Sequence, residues 1–311
     1  MMGLLVFKER LKAFYGKYSY VVHPVVKFVF SLTVFLILNT NLGFMTKLKN
    51  PVIPIVAALV CSFLPWSAMT CLAAVLMLAH LYSLSLELVV ITGILVLIVA
   101  ILYSGFQPGD SLVMVITPLM FFLGVPYAVP LLLGLTCGLT SMIPMCFGIF
   151  FYYLLVYAKQ NAGVLAAAGA VDITQKYMQI LKSLFGNETM LLMMLAFAAA
   201  VIVVFLIRNL SVDYAWSIAT VAGTVVLLAV IFMGNSRLDV KLSIGAISVG
   251  TLLSVILAFI LQFFLFAVDY TRTEFLQFQD DDYYYYVKAV PKIAVTAPDV
   301  KVQRINKRKD S

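Results

Sequence analysis

The chain has 311 residues, of which 63% are hydrophobic and only 11% are charged, and its formal net charge is +7. A soluble domain carries about 25% charged residues, so this composition excludes an ordinary water-soluble globular protein. The positive charge does not indicate nucleic-acid binding, because the basic residues flank apolar segments and form no basic, aromatic-interleaved domain. Since the apolar runs are continuous rather than alternating, we predict an all-α integral membrane protein with about 8–10 transmembrane helices.

The chain begins with a basic head, residues 1–23, in which Lys and Arg are interleaved with Leu and Phe. This pattern is typical of an amphipathic helix lying on a bilayer with anionic headgroups. Pro24 suits the first turn of a following span, and a polytopic transmembrane domain is predicted over 24–268.

From Asn50 through Tyr157 the sequence contains no Lys or Arg, and its apolar runs are interrupted near Pro65, Tyr82, Gly124 and Pro144. The resulting pieces are short for a full span of about 20 residues. Broken helices at membrane depth occur only where they are buried in protein or line a cavity, and in transporters they often build the binding site. The alternative is that some pieces merge into longer helices kinked at proline.

Three titratable residues in this region form the candidate intramembrane polar site: His80, Glu87 and Asp110. Ionisable groups inside a membrane domain are the default functional candidates. His80 and Glu87 lie seven positions apart, so an unbroken helix would place them on one face, where they could relay protons. Alternatively, both lie in a short interfacial turn that water reaches. Asp110 follows a turn sequence and is predicted to cap the next helix rather than to bind a cation.

The remaining motifs in the apolar region favour packing over chemistry. Gly134 and Gly138 form a G-x-x-x-G pattern, which permits close helix packing. The four cysteines form no C-x-x-C pair, so we predict neither a metal site nor a cofactor. The motifs of zinc proteases, serine hydrolases and phosphate-binding loops are absent, and no enzymatic activity is predicted.

An amphipathic interfacial helix is predicted at about 172–185, and three spans follow it. The soluble tail, residues 269–311, carries a strand, an acidic turn and a second strand, and resembles a β-hairpin. An isolated hairpin is marginal in water, so we expect the acidic turn and its tyrosines to dock on a partner. The candidate docking residues are Asp280, Asp281, Asp282, Tyr283, Tyr284, Tyr285 and Tyr286.

The basic head and tail favour a cytoplasmic location for both termini of a multi-pass protein of the cell membrane. We expect a permease-type or export-type subunit that handles a lipidic or polymeric substrate with a cytoplasmic protein partner. The scarcity of charge in the apolar region argues against ion-driven uptake of a polar solute. The rival hypothesis is a scaffold that assembles a membrane complex and transports nothing.

Overall fold

A computed structural model of the protein describes residues 2–106, 110–166, 173–238, 243–266 and 268–292. The helices are α1 (Met2–Leu42), α2 (Val52–Phe63), α3 (Trp66–Tyr82), α4 (Leu86–Phe106), α5 (Ser111–Phe122), α6 (Ala128–Thr136), α7 (Met142–Gln160), α8 (Ala162–Ala166), α9 (Ile173–Phe185), α10 (Glu188–Arg208), α11 (Ala215–Arg237) and α12 (Ile244–Leu265). The strands are β1 (Glu274–Gln279) and β2 (Tyr284–Ala289), which pair antiparallel.

Within the described ranges, five helical segments are long and apolar enough to cross a membrane. These segments are Gly3–Leu42, Leu139–Gln160, Thr174–Arg208, Ala215–Arg237 and Ile244–Leu265. The predictions of a mainly helical chain and of a two-stranded antiparallel tail are confirmed.

The chain divides into two compact units. One is Tyr20–Phe263, and the other consists of the described parts of Met1–Ser19 and Phe264–Ser311. The basic head is helical, and α1 continues through it with non-helical backbone angles only at Tyr18. Pro24 therefore lies inside α1 and not at the start of a helix, as its preference for a first turn had suggested.

Proline and glycine account for two of the predicted breaks in the apolar region, whereas Pro144 lies in the first turn of α7. α2 ends before Pro65, and Leu64 is extended with ψ of 163° because a residue preceding proline is pushed out of the helical region. Between α5 and α6, Gly124 has φ of +76°, a left-handed conformation that glycine adopts without steric penalty. Short helices are thus a real feature of this region.

One end of the larger unit is defined by contacts between α1, α3 and α7. The Lys159 ammonium at the end of α7 donates to the Asn41 side chain at the end of α1, at 3.3 Å. The backbone N–H of Met45 donates to Nδ1 of His80, near the end of α3, at 3.4 Å. We call this the Asn41 end.

The opposite end, which we call the Asp110 end, gathers the start of α5, the end of α6, the start of α7 and the end of α10. Ser141 donates to the Asp110 carboxylate at 2.6 Å, and Arg208 donates to the Cys137 carbonyl at 2.9 Å. α5 therefore leaves this end and α6 returns to it, so the two form a helical hairpin. At 1.5 Å per residue they extend about 18 Å and 14 Å, well short of a bilayer's ~30 Å core.

Helix α10 lies at the centre of the packing, against α6, α7 and α11. Its side chains Phe197, Ala200, Val201 and Val204 are completely buried. Small residues on the neighbouring helices allow this close approach, as described below for Gly134.

Candidate functional site

The larger unit contains an apolar groove of about 840 Å³ between α1, α3, α4, α5 and α7. Its volume lies within the range of about 300–1,000 Å³ that is usual for ligand pockets. Small side chains leave this space unfilled, among them Ala73 and Ala74 on α3 and Ala100 on α4. The walls opposite them include Val34 on α1 and Phe151 on α7. The groove is suited to a ligand with a long hydrocarbon part.

The hydroxyl groups of the groove lie on the first turns of α3 and α5, toward the Asp110 end. They belong to Ser67 and Thr70 on α3 and to Ser111 on α5. The Thr70 hydroxyl donates to the backbone carbonyl of Ser111 at 3.3 Å, which ties α3 to the start of α5. A ligand in the groove would thus meet polar atoms at one end and hydrocarbon along the rest.

Beside this polar end, Lys27 of α1 is held against the α2–α3 break. Its ammonium donates to the Leu64 carbonyl at 2.8 Å and lies 5.4 Å from the centre of the Trp66 ring. The rings of His23 and Phe30 meet Trp66 edge-on, at centroid distances of 6.2 and 5.9 Å. Sequence reasoning missed Lys27. The signal that could have found it is the same one that marked His80: an ionisable residue within an apolar stretch.

His80 is buried near the end of α3, where its Nδ1 accepts the bond from Met45. Helix α3 ends at Tyr82 and α4 begins at Leu86, so His80 and Glu87 belong to different helices joined by a turn. The helix that would have aligned them on one face is therefore interrupted. The alternative, in which both residues lie in a turn that water reaches, also differs from the observed geometry, because His80 lies within α3 and is 1% exposed.

Glu87, in the first turn of α4, connects α4 to α9, the helix predicted to be interfacial. Its carboxylate accepts a hydrogen bond from Ser85 at 2.6 Å and pairs with the Lys176 ammonium at 3.2 Å. The apolar face of α9 is buried through Ile180 and Leu184. Glu87 thus fixes the position of α9 at the Asn41 end. Asp172, the predicted cap of this helix, lies outside the described residues.

Asp110 occupies the N-cap position of α5, but its side chain makes no capping bond. Its carboxylate instead accepts the bond from Ser141, which precedes α7 and is completely buried. Asp110 therefore joins the starts of α5 and α7, which the prediction of a simple cap did not anticipate.

The two glycines of the G-x-x-x-G pattern have different surroundings. A Cβ on Gly134 would lie 2.6 Å from the Cβ of Val204, so α6 and α10 approach closely at this point. Gly138 lies beyond the end of α6 in extended backbone, and a Cβ there would meet only Thr140, at 3.6 Å. Of these two glycines, only Gly134 lies at a close contact between helices.

The tail hairpin, in the smaller unit, pairs Glu274 with Ala289 and Gln279 with Tyr284 at the two ends of its register. Its strands are almost wholly exposed, which leaves several large apolar side chains in contact with solvent. Phe278 and Tyr285 are cross-strand partners whose rings stack at 5.1 Å.

Asp280 organises the acidic turn of this hairpin. Its carboxylate accepts bonds from the backbone N–H groups of Asp282 and Tyr283, at 2.9 and 2.8 Å, and from the Tyr285 hydroxyl at 3.0 Å. These three donors hold the pKa of the Asp280 carboxyl below its usual value, the Asp282 amide first among them. Asp281 and Tyr286 are exposed, as a docking surface requires.

Comparisons with protein families, with curated proteins and with solved structures find no significant match to this chain.

Proposed function

We propose that this protein is a permease-type or export-type membrane subunit whose apolar groove takes the hydrocarbon part of a lipidic substrate. The observation that carries the proposal is the groove of about 840 Å³, with hydroxyl groups at one end and hydrocarbon elsewhere. A polar solute would find few partners along such walls, whereas an acyl or polyprenyl chain is matched by them. We propose no catalytic step for this groove.

In the proposed arrangement, the chain crosses the membrane eight times, through α1–α4, α7 and α10–α12. Helix α2 is as short as α5, but the residue after it, Leu64, reaches Lys27 of α1 near the Asp110 end, so α2 is counted as a crossing. The α5–α6 hairpin enters from the Asp110 end and turns back at Gly124, as broken helices do in transporters. An even number of crossings puts both termini on one side. The basic head and tail favour the cytoplasm, so the Asp110 end faces the cytoplasm of a cell-membrane protein.

The tail hairpin is proposed to dock a cytoplasmic partner, such as an ATPase or a polymer synthase. Support comes from the exposed aromatic side chains of both strands, since a two-stranded ribbon is marginally stable by itself. Affinity purification of the full-length chain, beside a chain truncated after Tyr270, tests this part. The partner should be retained only by the full-length protein, and recovery of both proteins without a partner would contradict docking.

Groove occupancy is tested by filling the groove. Ala74→Phe places a ring in the space lined by α3, and Ala246→Phe places the same ring on an exposed position of α12. After delipidating detergent washes, native mass spectrometry should detect retained lipid on the wild type and on the Ala246 variant, and none on the Ala74 variant. Equal retention by the two variants would place the lipid elsewhere. The absence of lipid from all three proteins would favour a scaffold.

A further inference from the structure

We propose that Lys27 binds the phosphate of an anionic phospholipid whose acyl chain occupies the groove. This inference rests on the function proposed above and names the headgroup class that the same site selects. It is carried by three observations: an anchored ammonium without an acidic partner, its position in line with the groove, and the length of the groove.

The Lys27 ammonium is held in place and still has hydrogen-bond donors for a ligand. An ammonium has three donors, and the bond to the Leu64 carbonyl uses one of them. That carbonyl is available because the last carbonyls of a helix have no partner within it, and α2 ends at Phe63. The Trp66 ring fixes the ammonium from a second direction. Two N–H donors of the ammonium remain for an anion. Because the side chain is already held in place, binding would cost little further side-chain entropy.

No carboxylate of the described residues forms an ion pair with Lys27. The sequence explains this, since no Asp or Glu occurs between Glu9 and Glu87. At the same end of the unit, the Asp110 carboxylate is engaged by Ser141. A partly buried cation among apolar helices is stabilised by a counter-anion, and here a ligand would supply it.

Lys27 lies in line with the groove. Val34, which lines it, is seven residues further along α1, on the same face and about 10 Å away along the axis. On α3, the groove begins at Ser67, the residue after Trp66, and its hydroxyl adds a polar group at this end. The cation is therefore placed at the polar end of the groove.

The length of the groove corresponds to one acyl chain. Along α3 the lining residues run from Ser67 to Leu78, a rise of about 16 Å. One leaflet of a bilayer's ~30 Å hydrocarbon core is about 15 Å deep. A chain extending from a phosphate at Lys27 would therefore fill the groove from end to end.

The test uses Trp66 as the reporter. The chain contains two tryptophans, so Trp216→Phe leaves Trp66 as the single indole of the full-length protein. The protein is reconstituted in phosphatidylcholine vesicles containing phosphatidylglycerol or phosphatidylcholine with brominated acyl chains, which quench indole fluorescence on contact. We expect the association constant to be about five-fold higher for phosphatidylglycerol than for phosphatidylcholine. The reason is that one ammonium then interacts with a headgroup that is more negative by one net charge.

The variants separate the headgroup contact from general effects on the fold. Lys27→Gln should abolish the five-fold preference and Lys27→Arg should keep it, because both replacements are of similar length and only arginine is charged. Lys49→Gln is the matched control, an exposed lysine in the turn that follows α1. The Lys49→Gln protein should keep the five-fold preference for the anionic lipid.

Each other result overturns the proposal in a distinguishable way. Equal quenching by both lipids would refute the selectivity for an anionic headgroup while leaving the groove as a lipid site. A preference that Lys27→Gln retains would assign the selectivity to another residue. Loss of the preference on addition of inorganic phosphate would identify a site for the free ion rather than a lipid. An absence of quenching by either lipid would refute groove occupancy, and the proposed function with it.

Discussion

The close contact between α6 and α10 gives a quantitative prediction for Gly134→Ala. The new Cβ would lie 2.6 Å from the Cβ of Val204 and 2.7 Å from its Cγ1. Carbon atoms prefer separations of about 3.5–4.0 Å, so the helices would have to separate by about 1 Å. Val204 cannot turn away, because it is completely buried and Gly223 of α11 lies against it. Overpacking of a core costs about 1–3 kcal/mol, and we expect the upper half of that range here.

The assay is reversible unfolding of the purified protein in mixed micelles, with increasing sodium dodecyl sulfate and helix content followed by circular dichroism. Gly138→Ala is the control, since its Cβ would lie 3.6 Å from the Thr140 hydroxyl in open extended backbone. We expect a change within about 0.5 kcal/mol for this variant. In a Val204→Gly background, Gly134→Ala should become less costly by at least about 1 kcal/mol, because the Cβ and Cγ1 atoms that the new Cβ would meet are both gone.

Two results would refute this reasoning. The first is equal destabilisation by alanine at Gly134 and at Gly138, which would show that the loss of glycine and not helix contact is responsible. The second is an absence of coupling between Gly134 and Val204, which would mean that the two helices do not meet at these residues.

Two further predictions concern polar contacts. Lys176→Ala removes the partly buried ion pair with Glu87, so amide hydrogen exchange of α9 should accelerate about two- to five-fold, whereas Lys182→Ala on the same helix should have no effect. Equal acceleration by both variants would show that the ion pair does not hold α9. In the tail, the lowered pKa of Asp280 means that its contribution to hairpin stability is complete above its unfolded pKa of about 3.9 and is lost as pH falls through the folded value. Amide protection of β1 and β2 should therefore fall in acid below about pH 4, and Asp280→Asn should remove that dependence; an unchanged pH profile in this variant would contradict the role of the carboxylate.

Local patterns predicted much of the secondary structure. The spans expected at about 189–207, 214–233 and 243–268 correspond to α10, α11 and α12. The tail strands form where Tyr and Val flank three aspartates, and the helices break at Pro65 and Gly124. These features depend on near neighbours along the chain, through steric restriction at proline, the freedom of glycine and continuous hydrophobicity.

The partners of the polar residues could not be predicted in the same way. Glu87 lies 89 positions from Lys176, and Asp110 is 31 positions from Ser141. A sequence shows that such residues are expensive to bury but not which distant group satisfies them. The hypothesis that His80 and Glu87 share one helical face required a helix that continues through Ser83, and the chain turns there instead.

By itself, then, the sequence determined the helical, apolar character of the chain: 63% of the residues are hydrophobic, and no Lys or Arg occurs between Asn50 and Tyr157, as is typical of membrane-spanning helices. Only the tertiary structure decided that α5 and α6 form a hairpin, that Lys27 has no acidic partner among the described residues, and that a groove remains between five helices. The physical reason is that a cavity is the volume left over when distant segments pack. Ala74 and Ala100 line it together with Val34 and Phe151, which lie far away in the chain.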